Sequence, residues 1–499
     1  MLKSQLSHIL KRLYHNSRHG TKAPVVRLAS ARVGRALRER ADREVQLRHR
    51  DHPDRKFEPY PFAVTEDNKV DVMRKRIMPL CDIPIEEQLR SKQSYCKNAL
   101  RHFAQELYKT GTPIRLDVTR MPCHLNPIVR SPAVTAYRNV DEFSIWRGID
   151  GETITVGFMV FPISKHGDTV CIEPDGCEIM KEVSIRMGQL LQEFMRNQAK
   201  LGVSHTLGEE GGWRRFQVKS NTLEEIMVTG FLNPRTLTVQ QVLDERNNFR
   251  DFIVSRTSQE GLKLVSLYFQ PCPHNSCPSH LIPFELLYGN ETIVETINGY
   301  KFQISPETHF HQSTPGSEIL CKSIRKTIED CFPIKNTKPL LIDVNCNAGI
   351  LPIQLADMAS RIVGIDRRAQ AIDDARANAK LNGVANSEFI YSTLEVVIER
   401  VLEKYSQHRQ ETMVLCAPSK MGLHHYAIDC LRRCNDVKKI VYVTSKPDGD
   451  GFQDNMKVLC QRSSGRMAPP FVPIAATPVD ICPNLDYCEL VVALERLES

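Results

Sequence analysis

The alternation of strands and helices after residue 300 constrains the fold of this chain more than any other feature. Amphipathic stretches such as AQAIDDARANAKLNG lie between short apolar stretches that are typical of buried strands. These strand-like stretches include LLID, RIVGID, TMVLC and KKIVYV. Strands that are joined through helices run parallel, and a parallel sheet needs helices on both of its faces. The sequence therefore predicts an α/β domain with a mostly parallel sheet over residues 301–499.

The segments before residue 300 have different patterns. Between residues 111 and 300, short runs such as DEFSIWRG and TITVGFMVF are separated by Gly, Asp and Pro, and a helix-like stretch follows them. This pattern predicts an α+β central domain. Residues 46–110 are charged, and their apolar residues recur at three- and four-residue steps, which predicts a helical lead-in.

The start of the chain is basic. The first 38 residues contain Lys and Arg throughout but no Asp or Glu. A helix over residues 2–14 would carry its leucines near one face and its basic side chains mostly on the other. We therefore interpret residues 1–45 as a mitochondrial targeting segment and expect the protein in the matrix. The alternative is a disordered basic arm that contacts nucleic acid directly.

Composition indicates a soluble globular protein. Hydrophobic residues make up 41% and charged residues 25% of the chain, and no apolar run is long enough to span a membrane. The 16 cysteines have no regular spacing, so we expect a reducing compartment and no structural disulfides. The net charge of +7 is compatible with a polyanionic partner.

Candidate ligand-binding residues follow the strands, because ligands of parallel α/β sheets bind beyond the carboxyl ends of the strands. The strand LLID ends at Asp343 and enters a turn of small residues that includes Asn347 and Gly349. The next strand ends at Asp366, the usual place for a carboxylate that accepts hydrogen bonds from ribose hydroxyls. Together they predict an adenosyl cofactor, and by themselves they leave NAD and S-adenosylmethionine open.

The sequence contains the separated blocks FQISPETHFHQSTPGSEIL, LLIDVNCNAGI, IVGIDRRAQAIDDARANAKLNG and PVDICPNLDYCELVVALER. Together these blocks resemble one family, the S-adenosylmethionine-dependent RNA (uracil-C5)-methyltransferases, and are most similar to the mitochondrial animal branch of the tRNA uracil-54 enzymes. The resemblance covers roughly residues 110–499. It implies a Rossmann-like methyltransferase domain with S-adenosyl-L-methionine as cofactor and tRNA or rRNA as partner. We expect a monomer.

The resemblance also implies roles for individual residues. Gln312 inherits a cofactor contact, and Glu489 occupies the place of the catalytic base. The predicted cofactor-binding positions are Gln312, Asp343, Asn347, Gly349, Asp366 and Ala417. In this family's reaction, a cysteine thiolate adds to C6 of a flipped-out uracil, C5 attacks the methyl sulfonium, and a carboxylate then removes the C5 proton.

The sequence departs from the family where the chemistry takes place. Ser445 stands in TSKP at the position of the nucleophilic cysteine, and Ala417 replaces an aspartate in APSK. A thiol with a pKa of about 8.5 supplies a few per cent of thiolate at neutral pH, whereas an unassisted serine hydroxyl supplies practically no alkoxide. Methyl transfer is therefore uncertain. The alternative is a catalytically inactive homologue that acts as an RNA-binding or folding factor.

Two further sets of residues have weaker signals. Cys416, at the tip of the strand before Ala417, is an alternative nucleophile, but a strand cysteine packed in the core is the favoured interpretation. The residues Cys272, His274, Cys277 and His280 are of types that bind zinc, but their spacing matches no standard finger, and we predict no metal site.

Overall fold

The computed structural model describes residues 64–112, 115–160, 169–204, 211–274, 281–333, 337–406, 411–462 and 467–497. The segment that we interpret as a mitochondrial targeting signal lies outside these ranges. Within them, no helix is both long enough and apolar enough to cross a bilayer.

The described residues form strands β1 to β18 and helices α1 to α10. The strands are β1 (His124–Leu125), β2 (Val129–Arg130), β3 (Val140–Arg147), β4 (Ile154–Val160), β5 (Val170–Ile172), β6 (Gly212–Ser220), β7 (Glu225–Asn233), β8 (Lys263–Pro271), β9 (Glu285–Gly289), β10 (Ile293–Ile297), β11 (Tyr300–Ile304), β12 (Leu340–Val344), β13 (Arg361–Asp366), β14 (Ser387–Tyr391), β15 (Thr412–Cys416), β16 (Val437–Thr444), β17 (Phe471–Asp480) and β18 (Glu489–Arg496). The helices are α1 (Lys69–Ile77), α2 (Ile85–Lys109), α3 (Glu182–Asn197), α4 (Val239–Gln259), α5 (Thr314–Cys331), α6 (Ile350–Gln354), α7 (Ala369–Leu381), α8 (Leu394–Tyr405), α9 (His425–Arg433) and α10 (Asp450–Cys460).

The larger of two main sheets contains the strands predicted after residue 300. Its strands lie in the order β14-β13-β12-β15-β16-β18-β17-β1, and β2 also pairs with β17. Strands β12 to β16 are parallel to their neighbours, whereas β18 is antiparallel to β16 and β17. This confirms the predicted α/β fold. The sheet also takes β1 and β2 from residues 124–130, which the sequence patterns had assigned to the central domain.

Helices cover both faces of this sheet, as the apolar strands require. All of β12 is buried. Its Leu341 contributes to a core cluster with α5, whereas Ile342 contributes to the cluster on the opposite face with α8, α9 and α10. Helix α2 of the lead-in joins this second cluster through Leu100 and Phe103, so the lead-in packs directly against the methyltransferase-like sheet.

The central domain is built on a second sheet, in the order β5-β4-β3-β6-β7-β8-β9. Helices α3 and α4 pack on one of its faces, where Phe194, Trp213 and Phe249 meet with ring centroids 5.0 to 5.4 Å apart. The β10–β11 hairpin packs between the other face and the large sheet, and its Phe302 shares one apolar cluster with Met227 of β7 and with residues of α6 and α7. The two sheets are therefore connected by continuous apolar packing.

The cysteines correct one expectation. Fourteen of them are free thiols, but Cys272 is disulfide-bonded, so the chain does contain a disulfide. The partner sulfur lies outside the described residues. An irregular spacing of cysteines therefore did not exclude a local pair.

Candidate active site

The carboxyl ends of the parallel strands meet at one edge of the large sheet. Val344 is paired with Cys416, and Cys416 with Tyr442, so β12 and β15 end at the same level and β16 continues beyond it to Thr444. Thr444 at the end of β16 is paired with Leu490 of the antiparallel strand β18. Ser445 directly follows β16, and Glu489 is the first residue of β18, so each is next in sequence to a residue of this last pair. The chain segments that carry Ser445 and Glu489 therefore meet at the predicted edge.

The turn after β12 has the backbone conformation of a ligand-binding loop. Asn345, Asn347 and Gly349 have φ values of 70°, 50° and 77°. Asn is among the side chains that best tolerate this left-handed region, which explains how Asn347 occupies the position of a family glycine. Gly349 has a left-handed φ that side chains with a Cβ atom rarely adopt, so the backbone of this turn favours a glycine.

Asp366 is almost fully buried at the end of β13, and its carboxylate already accepts three hydrogen-bond donors. The backbone N–H of Asn347 donates to Oδ2 at 3.0 Å, and the backbone N–H of Arg368 donates to Oδ1 at 3.0 Å. The Arg368 side chain reaches the same Oδ1 at 3.5 Å and donates to the Asn347 side-chain oxygen at 3.2 Å. Asp366 therefore fixes the loop, and a carboxylate with about four acceptor positions keeps room for a ribose hydroxyl.

Asp343 supplies the test of whether an adenosyl cofactor fits this loop. It is buried, and its Oδ1 has no hydrogen-bond partner among the described residues. Burial, reinforced by the charge of Asp366, raises the pKa of Asp343 well above its usual value. A buried acceptor without a donor is costly, and a ligand that brings donors to the loop relieves that cost. The residues present therefore fit a ligand with hydroxyl and ammonium groups.

The segment that contains Gln312 lies against this loop. The side-chain amide of Asn347 donates to the His309 carbonyl at 2.7 Å. From the central domain, the backbone N–H of Asn139 donates to the Gln312 carbonyl at 2.8 Å, and its side chain donates to Thr314 at 2.9 Å. Both domains thus fix the backbone of Gln312, whose side chain is partly exposed.

Helix α5 begins directly after Gln312 and contacts the C-terminal block. The Ser313 hydroxyl accepts a hydrogen bond from the Gly316 N–H at 2.9 Å and caps the helix. A Cβ atom on Gly316 would lie 2.3 Å from the Ile481 carbonyl oxygen, so only glycine permits this approach. The Gln312 segment is therefore packed against the connection that leads from β17 to Glu489.

Glu489 has the electrostatics of a proton acceptor near neutral pH. Its side chain is partly buried, and desolvation alone raises its pKa to about 7. No ion pair or hydrogen bond from the described residues lowers that pKa. Ser445 is also partly exposed, and side-chain carbons of the following Lys446 lie close to Gly449.

Helix α2 fixes both strand ends from behind, which the sequence patterns did not predict. Tyr95 donates a hydrogen bond to the Asp448 carboxylate in the loop after Ser445. The sulfur atoms of Cys96 and Cys488 lie 3.4 Å apart. Lys92 forms a buried ion pair with Asp480 at 2.7 Å. Only the amphipathic pattern of α2 was visible in the sequence.

The remaining predicted positions are Cys416, Ala417 and the zinc-like cluster. Cys416 is completely buried in the apolar core of the large sheet, and burial raises the pKa of its thiol. Such a thiol is poorly suited to nucleophilic attack. Ala417 is partly exposed beside it. Among the described residues no group of His, Cys, Asp and Glu could hold a metal ion, and Cys277 and His280 of the zinc-like cluster lie outside them.

Comparison with known proteins identifies several relatives. Residues 324–413 match the family of ribosomal protein L11 methyltransferase (PrmA). The chain is 31% identical over 427 residues to a tRNA (uracil-5-)-methyltransferase homolog B of Danio rerio, covering 84% of this chain and 86% of the relative. It is 29% identical over 454 residues to homolog B of Mus musculus, covering 89% and 90%.

A solved structure also has a similar fold. It is the tRNA (uracil-54, C5)-methyltransferase of Pyrococcus abyssi in complex with S-adenosyl-L-homocysteine. The TM-score is 0.57 at 20% identity, and the match covers 82% of this chain and 83% of the other.

Proposed function

Because this chain belongs to the tRNA (uracil-5-)-methyltransferase family, we propose that it is an RNA uridine C5 methyltransferase of the tRNA uracil-54 type, with S-adenosyl-L-methionine as its cofactor. Its substrate is mitochondrial tRNA or rRNA, and Ser445 in place of the cysteine makes methyl transfer very slow or absent. The observation that supports this proposal is the pairing of Thr444 with Leu490, the residues next to Ser445 and Glu489, at the edge of the sheet where the loop after β12 also lies.

The cofactor, when bound, supplies an electrophilic methyl group. Asp366 would accept hydrogen bonds from its ribose, Asp343 would accept donors at the loop, and Gln312 would contact it from the neighbouring segment. The backbone of Asn347 and Gly349 allows close approach. Ala417 contributes no carboxylate, so one polar contact of the family is absent.

Glu489 is the proton acceptor in this reaction. With a pKa of about 7, it is about half ionised at neutral pH and can accept the C5 proton of a uracil. The missing step is the addition to C6, because the Ser445 hydroxyl remains protonated at that pH. One carboxylate beside it does not replace a thiolate.

The experiment has three parts: calorimetric binding of S-adenosyl-L-methionine, transfer of a labelled methyl group to mitochondrial tRNA, and the same transfer by Ser445→Cys. We expect binding without appreciable transfer by the wild-type protein and transfer by the cysteine variant. Normal turnover by the wild-type protein on tRNA would contradict the proposal. An absence of cofactor binding would reject the cofactor site itself.

Two observations favour a second function, in which the protein is a catalytically inactive homologue that binds or folds RNA. Ser445 and Ala417 both stand where the family has groups on which the chemistry depends. In contrast, the hydrogen bonds from Asn139 of the central domain to the Gln312 segment are present. In this case Ser445→Cys would leave transfer at background, while RNA binding by the wild-type protein would persist.

The proposed location is the mitochondrial matrix, supported by the basic and acid-free composition of the first 38 residues. The test is a fluorescent fusion of residues 1–45 to a reporter protein. Mitochondrial import of the reporter would support the assignment, and a diffuse or nuclear distribution would favour the basic RNA-binding arm.

A further inference from the structure

A small cavity opens on the central domain, away from the candidate active site. It lies on the face of the second sheet that α3 and α4 do not cover. Its lining includes Arg214, Arg215, Phe231, Gln270 and His274. The cavity is therefore bounded by two guanidinium groups and an aromatic ring.

A β-bulge explains why two adjacent arginines line the same cavity. In the pairing of β6 with β7, Trp213 faces Leu232 and Arg215 faces Phe231, so Arg214 is an extra residue without a partner position. Neighbouring residues of a regular strand point to opposite faces, whereas a bulge re-aims one of them. Trp213 packs into the core, and both arginines line the outer cavity.

Positive charge in this cavity is poorly compensated. The terminal nitrogens of Arg214 donate to the His274 and Pro273 carbonyls, but its Nε is buried and has no partner among the described residues. Burial, together with the charges of Arg235 and Arg215, lowers the pKa of Arg214 to about 10. The described residues place no carboxylate within ion-pair distance of Arg214.

Arg215 completes the arrangement. Its guanidinium lies 4.3 Å from the centroid of the Phe231 ring. The ring centroids of Phe231 and Phe284 are 6.1 Å apart. The nearest acid is Glu142, at 3.6 Å from Arg215 and half exposed, so water screens that pair. A stacked guanidinium keeps its edge available for an anion.

The cavity lies on the strand that leads to the candidate active site. Arg215 and Lys219 are on the same face of β6, four residues apart, which corresponds to about 13 Å along a strand. The Lys219 ammonium donates to the carbonyls of Ser305, Pro306 and Thr308, just before the segment of Gln312. The cavity and the contact with the segment before Gln312 therefore lie on the same strand and on the same face of the sheet.

We propose that Arg214 and Arg215 form a binding site for a phosphate group of the RNA backbone. This rests on the proposed function, because it assigns part of the RNA substrate to a surface outside the active site. The site fixes the position of the RNA and reads no base, as phosphate contacts do.

The test measures binding of a tRNA transcript by fluorescence anisotropy over a range of salt concentrations. Arg214→Gln and Arg215→Gln should each weaken binding about tenfold and reduce the salt slope by about 0.7 to 0.9. The matched control is Arg250→Gln, because Arg250 pairs with Asp251 on α4 at the opposite face of the sheet. Arg215→Gln keeps the test valid if loss of the Arg214 carbonyl contacts unfolds the domain, which circular dichroism would reveal.

The outcomes separate this site from the proposed function. Unchanged affinity and salt slope in both variants, with normal binding by the wild-type protein, would overturn the phosphate site and leave the proposed function standing. If the wild-type protein binds no tRNA, the RNA substrate is rejected, and with it this assignment. Thermal stabilisation by inorganic phosphate, lost in Arg215→Gln, would then identify a site for free phosphate instead.

Discussion

The two halves of the candidate site differ in how hydrogen bonds between protein groups hold them. In the cofactor half, at the ends of β12 and β13, Asp366 accepts three donors and Asn347 links the loop to the Gln312 segment. In the pyrimidine half, at the ends of β15 and β16 and the start of β18, the described residues give Glu489 no charged partner. Hydrogen bonds fix the first half, whereas the proposed function assigns to the second half the changes at Ala417 and Ser445.

The difference teaches that binding and turnover can separate within one site. Backbone contacts in the cofactor half also stabilise the loop itself, so mutations there reduce stability as well as affinity. In the proposed function, the change at Ser445 removes a reactive group but no contact that holds the strand end. The register of β16 with β18 persists around Ser445.

The comparison is tested most strongly by Ser445→Cys. If only the nucleophile is missing, methyl transfer to tRNA should rise by about a thousandfold, because a thiolate replaces a hydroxyl that is practically never ionised at neutral pH. The measurement is incorporation of a labelled methyl group. Ser445→Ala is the matched control and should not raise the rate. If the cysteine variant transferred methyl groups no faster, the change at Ala417 or another change would also have to prevent the reaction in the pyrimidine half.

The cofactor half is tested by Asp366→Asn. This change removes the charge but keeps the shape, and we expect S-adenosyl-L-methionine to bind roughly 30-fold more weakly, since a hydrogen bond to a charged group contributes about 2 kcal/mol. Calorimetry gives the dissociation constant. Asp373→Asn on the exposed face of α7 is the control. Equal affinity for both variants would remove Asp366 from the cofactor site.

The electrostatics of the pyrimidine half are tested through Glu489. Its folded pKa of about 7 lies above the ordinary value of 4.5, so the folded state binds more protons between these limits and loses stability as the pH rises through them. Chemical unfolding between pH 5 and 8 should reveal a decrease on the order of 2 kcal/mol that Glu489→Gln abolishes. In Ser445→Cys, transfer should increase over the same range, because the base must be ionised. A profile that is unchanged by Glu489→Gln would assign the pH dependence to another group.

The sequence predicted the edge of the site but not the contacts that hold it. Strand-end rules pointed to Asp343 and Asp366 because a parallel sheet fixes where its strands end. The neighbourhood of Ser445 and Glu489 needed the family resemblance, since an antiparallel strand breaks the strand-helix pattern.

Other structural features leave no local pattern in the sequence. The contact of Asn139 with the Gln312 backbone joins residues far apart in the chain, and no periodicity encodes it. The Arg214 bulge depends on pairing with β7. The disulfide of Cys272 was missed because cysteine spacing was interpreted for the chain as a whole rather than for one loop.

The smallest expected effect concerns Asn347, which by the family resemblance stands at a glycine position of the cofactor loop. At the φ of 50° found for Asn347, Ala should destabilise the protein by about 1 kcal/mol because its Cβ is strained there, whereas Gly should be close to neutral for the backbone. Thermal or urea unfolding measures the difference. Asn347→Gly also loses the 2.7 Å hydrogen bond to the His309 carbonyl, so it should weaken cofactor binding, and any loss of stability should come from this contact rather than from the backbone. If Ala and Gly were equally stable at this position, the strain would be absent, and Asn347 would be retained for its side-chain contact alone.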